Sequence, residues 1–169
     1  CTRCGEGEWS LEGFSECDSC PDGQYAPDGG TDCEVCSPGT YSTSPSAVCS
    51  GCEAGKYQDE PESSKCKDAP VGSYALSNAE GSIKCEPGKF QDETGKDTCK
   101  KCETGKYMAA SGAAACIDCS AGKAADEEGS LSCFNCTAGT AAGEGASECN
   151  QCEAGKYSDV DLADKCTDC

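Results

Sequence analysis

Large apolar side chains do not follow a helical or a simple alternating pattern in this chain. Eight of the ten aromatics instead recur at a spacing set by units of 16 or 17 residues, two positions after a glycine. Trp9, Tyr25, Tyr41, Tyr57, Tyr74, Phe90, Tyr107 and Tyr157 occupy this slot, and Ala124 and Ala141 hold it in the two remaining copies. The glycine itself is present in all ten copies, from Gly7 and Gly23 through Gly139 and Gly155. A polar stretch follows each aromatic, and in many copies a second turn signal follows that, such as Asp28-Gly29-Gly30, Thr94-Gly95 or Glu128-Gly129. Gly and Pro recur inside the repeats and no 3.6-residue stripe survives, so the pattern predicts little or no helix. It predicts one short hairpin per repeat instead, with the aromatic ring pressed on the adjacent disulfide. The invariant glycine marks a backbone position with positive φ or a close backbone approach.

A fixed period of this length is the signature of a repeat array, in which each unit contacts mainly its neighbours. The expected architecture is an elongated solenoid of ten modules of 16–17 residues, small and disulfide-rich, forming one continuous array over residues 1–169. Stacked at about 10 Å per module, a sheet-packing spacing, it would extend on the order of 100 Å. The chain both begins and ends on a cysteine, and it is read as a segment of a longer secreted polypeptide.

Composition explains why the array needs covalent help. Only 13 of 169 residues are Val, Ile, Leu or Phe, while 20 are Cys. At roughly 25 cal/mol per Å² of apolar burial, so few large side chains do not offset the entropy of ordering the chain. A cysteine content this high marks a disulfide scaffold in an oxidising compartment. The expected location is extracellular or at the cell surface.

The cysteines form C-x2-C pairs along the whole chain, except that Ala69 follows Cys66 and Ser82 precedes Cys85 where mates belong. These two losses discriminate between pairing schemes. If the second Cys of one pair bonds the first of the next, Ala69 and Ser82 are the two ends of one missing bridge and no orphan thiol remains. The bridges are then Cys4–Cys17, Cys20–Cys33, Cys36–Cys49, Cys52–Cys66, Cys85–Cys99, Cys102–Cys116, Cys119–Cys133, Cys136–Cys149 and Cys152–Cys166. Cys1 and Cys169 would pair beyond the segment. Closing each C-x2-C on itself would require an extra bridge between Cys66 and Cys85, and such short loops remove little unfolded-state entropy. Zinc is the other alternative, since C-x2-C-x12-C-x2-C is legitimate four-cysteine spacing. It would leave Cys66 and Cys85 free and would predict alternating intervals, whereas all intervals share the same glycine and aromatic positions. The module from Ala69 to Ser82, lacking its bridge, is the expected soft point.

The unit C-x2-C-x2-G-x-Y, as in Cys49-Ser-Gly-Cys52-Glu-Ala-Gly55-Lys-Tyr57, resembles the ephrin-receptor-like cysteine-rich repeat. It is more distantly similar to the cysteine-rich modules of tumour-necrosis-factor and growth-factor receptors. The resemblance covers essentially the whole chain and departs at Ala69, Ser82, Ala124 and Ala141. It implies disulfide-laddered extracellular rods, found in receptor ectodomains and in large surface proteins of protists and algae. It transfers no ligand-binding residue, because the family motif is itself scaffold.

Candidate chemistry is sparse. The chain has no histidine, the commonest general base, and no phosphate-binding glycine loop, so no enzymatic activity and no cofactor is expected. Calcium is an alternative, with oxygen ligands from Asp159, Asp161 and Asp164, from Asp92 and Glu93, or from Asp126, Glu127 and Glu128, though none follows EF-hand spacing. A net charge of −18 opposes binding to nucleic acid and to anionic membranes. No apolar run is long enough to insert in a bilayer. Asn135-Cys136-Thr137 is a glycosylation sequon, and the Ser/Thr/Pro-rich stretch from Ser37 to Ser46 offers sites for O-linked sugars.

Two functions fit this sequence. The first is an extracellular structural rod, part of a surface filament or appendage, that self-associates or joins other surface proteins. The alternative is a receptor or adhesin ectodomain presenting a protein- or glycan-binding surface. In that case one or two modules should be exceptional, and those carrying Ala124 and Ala141 are the candidates.

Overall fold

Two-residue strands are what a chain this rich in glycine and turn residues sustains, and the computed structural model holds no longer ones among its described residues. It describes residues 4–11, 16–28 and 30–169, and among them there is no helix. Ten antiparallel hairpins follow one another. The first four pair Glu8–Trp9 with Asp18–Ser19, Gln24–Tyr25 with Glu34–Val35, Thr40–Tyr41 with Ser50–Gly51, and Lys56–Tyr57 with Lys67–Asp68. The next three pair Ser73–Tyr74 with Ile83–Lys84, Lys89–Phe90 with Lys100–Lys101, and Lys106–Tyr107 with Ile117–Asp118. The last three pair Lys123–Ala124 with Phe134–Asn135, Thr140–Ala141 with Asn150–Gln151, and Lys156–Tyr157 with Thr167–Asp168. Each hairpin is one module, and its second strand is the x2 of the next C-x2-C.

Isolated two-stranded hairpins are marginal in water, so each depends on its staple and its neighbours. Nine modules carry a disulfide across the hairpin, with Cα–Cα distances of 5.5–5.8 Å. The bridges are Cys4–Cys17, Cys20–Cys33, Cys36–Cys49, Cys52–Cys66, Cys85–Cys99, Cys102–Cys116, Cys119–Cys133, Cys136–Cys149 and Cys152–Cys166. The exposed Cys169 is unbonded, and Cys1 lies outside the described residues.

The chain divides into two compact units. The first comprises Cys1–Pro70, Tyr74–Ile83 and Thr94–Thr98, and the second comprises Val71–Ser73, Lys84–Glu93 and Cys99–Cys169. Successive modules inside the first unit are joined by backbone hydrogen bonds from the slot glycine to the carbonyl of the residue after the next aromatic. They run from Gly7 to Ala26, Gly23 to Ser42, Gly39 to Gln58 and Gly55 to Ala75. The same bond recurs inside the second unit, from Gly72 to Gln91, Gly88 to Met108, Gly105 to Ala125, Gly122 to Ala142 and Gly139 to Ser158. A second series closes each module on itself, as when Cys52 donates to the Gly39 carbonyl and Cys102 to the Gly88 carbonyl. A third series runs from a loop residue back to the preceding module, as from Asn78 to the Cys52 carbonyl and from Gly129 to the Cys102 carbonyl.

Both readings of the invariant glycine hold. Gly55 has φ +88° and Gly88 has φ +81°. A Cβ at either would also collide with a carbonyl from two modules further on, that of Gly95 in the first unit and that of Gly129 in the second. The residues that approach in this way lie in the hairpin loops, and seven of them share a left-handed conformation: Glu62, Asn78, Gly95, Gly112, Gly129, Gly145 and Leu162.

The core is not where the aromatics lie. The rings from Trp9 to Tyr107 are only half-buried, and Tyr157 is exposed. What is buried, away from the first and last modules, is the cysteine that opens the bridge together with the residue after the aromatic. Cys20, Cys36, Cys85, Cys102 and Cys119 have no exposed surface, and Ala26, Ser42, Gln58, Ala75, Gln91, Met108, Ala125 and Ala142 are all buried. Small or uncharged residues hold this position, where the chain accepts from the slot glycine of the preceding module and donates to a loop carbonyl of the next. The buried glutamines are satisfied locally: Gln58 Nε2 donates to the Lys65 carbonyl at 2.7 Å, and its Oε1 accepts from Glu60 N at 3.1 Å. Gln91 Oε1 accepts from Glu93 N in the same way.

Ala69 fills the place of a buried bridge cysteine with no exposed surface. Its N–H donates to the Gly55 carbonyl, the bond that Cys52 and Cys85 make in their own modules. Ser82 is half-buried at the other end of the same hairpin. Backbone pairing therefore persists where the bridge is missing.

Candidate functional site

Three grooves occur at equivalent positions of the repeat, each beside a disulfide. The first, about 230 Å³, is lined by Tyr41 from one module and by Glu53, Lys56, Lys65 and Cys66 from the next. The second, about 150 Å³, is lined by Tyr107, Ser120, Lys123, Ser132 and Cys133. The third, about 330 Å³, includes Ala141, Glu153, Lys156, Lys165 and Cys166. Each takes its wall from the aromatic slot of one module and its floor from the bridge and the pre-aromatic residue of the following one. The first and third grooves share a glutamate and two lysines, Glu53, Lys56 and Lys65 against Glu153, Lys156 and Lys165, and the third adds Asn150, Gln151 and Asp164. The third is wider, with alanine where the first has tyrosine.

That equivalence reflects a longer repeat than the module. Cys52-Glu-Ala-Gly-Lys-Tyr57, Cys102-Glu-Thr-Gly-Lys-Tyr107 and Cys152-Glu-Ala-Gly-Lys-Tyr157 lie 50 residues apart, three modules each. An aspartate follows the same spacing at Asp68, Asp118 and Asp168 and stands across the hairpin from each lysine. Lys56 pairs with Asp68 at 2.6 Å and Lys106 with Asp118 at 2.6 Å. Reading the sequence one module at a time misses this, because the signal lies in residues three modules apart.

Cross-hairpin electrostatics follow from these pairs. The hydrogen bond to Asp68, with its negative charge, raises the Lys56 pKa above the ordinary value, and Asp118 does the same for Lys106. Lys67 bonds Asp59 at 2.6 Å and Glu60 at 3.2 Å. That contact lowers the Asp59 carboxyl below its ordinary value and raises Lys67. Tyr25 donates to Glu34 at 2.5 Å, which raises its hydroxyl pKa. All of these groups reach solvent, so the pairs fix local geometry and add little stability. Among the described residues, Lys65 and Lys165 form no ion pair.

The candidate calcium carboxylates are scattered among other tasks. Asp92 accepts from Lys100 at 2.7 Å and Asp161 accepts from Ala138 N at 3.0 Å. Among the described residues, no three His, Cys, Asp or Glu side chains converge on a metal position, and no helix is long and apolar enough to cross a membrane. Asn135 lies exposed on the second strand of its hairpin, opposite Lys123, with Cys136 buried and Thr137 exposed beside it. Ala124 and Ala141 are buried rather than forming smooth exposed faces. Phe134 stands directly across from Ala124, so this module carries its ring on the opposite strand.

The chain matches no protein-family description, and comparison with curated proteins finds no match. The fold itself defines the class: a small disulfide-rich repeat protein, with ten hairpins and nine bridges among the described residues. Bridges in this number belong to an oxidising, extracellular type of environment.

Proposed function

We propose that this chain is an extracellular structural repeat, a non-enzymatic stretch of a surface filament or appendage that spaces and resists rather than catalyses. The observation that carries the reading is the recurrence of one set of backbone bonds from module to module inside each unit, with the staple, glycine and buried residue in the same places. A chain in which every module repeats the same contacts suits length and toughness more than a single recognition site. The resemblance to ephrin-receptor-like repeats supports a cell-surface setting, and the exposed sequon at Asn135 supports glycosylation there. The strongly acidic surface keeps a core-poor chain soluble.

Electron microscopy of native material tests this directly. A regular fibre labelled along its length by an antibody to the repeat is the expected result. Discrete particles bound one to one to a partner protein would favour the receptor or adhesin reading instead.

A further inference from the structure

We propose that the Tyr41 and Tyr107 grooves are sugar-binding subsites, each taking one hexose ring of a neutral polysaccharide. The two grooves lie in different modules, yet are lined by the same repeat positions. Their volumes, about 230 and 150 Å³, suit a single pyranose rather than an extended peptide.

The lining chemistry points the same way. A pyranose has an apolar C–H face and a rim of hydroxyls that both donate and accept hydrogen bonds. A half-buried tyrosine supplies an apolar wall with a polar tip. Around Tyr41, the Glu53 carboxylate accepts and the Lys65 ammonium, free of any ion pair among the described residues, donates. Around Tyr107 the corresponding groups are Ser120 and Ser132, whose hydroxyls do both, and Lys123 adds an ammonium donor. A few placed polar groups beside an aromatic wall are the usual make-up of a small-molecule site.

Charge narrows the ligand. A net charge of −18 repels a polyanion at long range. A polycation would settle on the acidic surface at large instead of in the lysine-bearing grooves. A neutral glycan escapes both effects. The Ala141 groove provides a control within the molecule: it keeps the glutamate and two lysines found in the Tyr41 groove, adds Asn150, Gln151 and Asp164, and has no ring. This inference stands apart from the filament reading, since a receptor ectodomain would carry the same grooves.

The test is NMR on the full disulfide-bonded chain with neutral oligosaccharides, a glucose hexamer and a mannose hexamer. Expected are saturation transfer to the ligand and saturable shifts of the Tyr41 and Tyr107 ring resonances, with the Ala141 and Ala142 methyls unmoved. The double variant Tyr41→Ala, Tyr107→Ala should weaken binding at least tenfold. It should fold normally, because alanine already holds this slot in two modules; dispersed spectra and unreactive cysteines would establish that. Absence of shifts with both hexamers overturns the proposal. So do equal shifts at every tyrosine or at the Ala141 groove, and so does unchanged binding by a folded double variant.

Discussion

Restoring the missing bridge is the most direct perturbation of this architecture. In Ala69→Cys/Ser82→Cys the new pair would have a sequence separation of 13, the same as Cys20–Cys33 and Cys36–Cys49. Ala69 already sits as the neighbouring bridge cysteines sit, fully buried and donating to the preceding slot glycine. The hairpin between the two positions is formed, so a disulfide should close without moving the backbone. For a loop of about 14 residues the chain-entropy contribution is about 3 kcal/mol. Applied to local opening of this module, that is on the order of a hundredfold fewer open molecules. Chymotrypsin reports on the opening through Leu76, which is 55% exposed in the hairpin loop. When opening is fast relative to cleavage, the cutting rate tracks the open population. The double variant should then lose cleavage at Leu76 by about that factor, while each single variant, and the double variant under reductant, is cut at least as fast as the parent. Two free thiols in the folded double variant, or an unchanged rate with the bridge formed, would refute the assignment of Ala69 and Ser82 as ends of one lost staple.

Other consequences are independent of that one. Gly88→Ala combines a positive φ with a collision against the Gly129 carbonyl, whereas Gly155→Ala meets only the positive φ and open space, and Gly81→Ala meets neither. Thermal unfolding should rank them in that order, with a cost of about 1–3 kcal/mol for the left-handed conformation alone, more for Gly88, and none for Gly81. The Asp59 carboxyl should titrate below its ordinary value by NMR and rise toward it in Lys67→Met. Because its folded pKa is depressed, its contribution is present above the unfolded pKa and lost as pH falls through the folded one. A midpoint indifferent to the substitution would break the pair. Reductant should unfold the chain and a chelator should not, as followed by circular dichroism. Alkylation without reductant should leave Cys66 and Cys85 unlabelled, and modification at either would contradict their bonds to Cys52 and Cys99.

The sequence exposes those features that use rare residues at fixed places. Cysteine and glycine recur so strictly that hairpin length, module boundaries and the register of the bridges follow from them, and the joint loss at Ala69 and Ser82 singles out one pairing. The core is harder to read. The eye goes to the aromatics, yet burial belongs to the residue after them, where Ala26, Gln58 and Met108 share no chemistry beyond being uncharged. The signal was an uncharged column in a chain that is 26% charged. The loop residue that meets the slot glycine is harder still, since Glu62, Asn78, Gly95 and Leu162 adopt one conformation with four different side chains. The grooves escape a module-by-module reading because each draws on two modules.

The contact between a slot glycine and a loop some 40 residues later has a genetic corollary. Inserting or deleting a few residues would put that loop out of step with the glycine it must meet, whereas adding a whole hairpin with its staple leaves each glycine facing an equivalent loop two modules on. The single residue by which module lengths differ falls between the aromatic and the next cysteine, as between Tyr25–Cys33 and Tyr57–Cys66, in the loop. A gene for such a chain can gain or lose copies by unequal crossing-over and still encode something that folds.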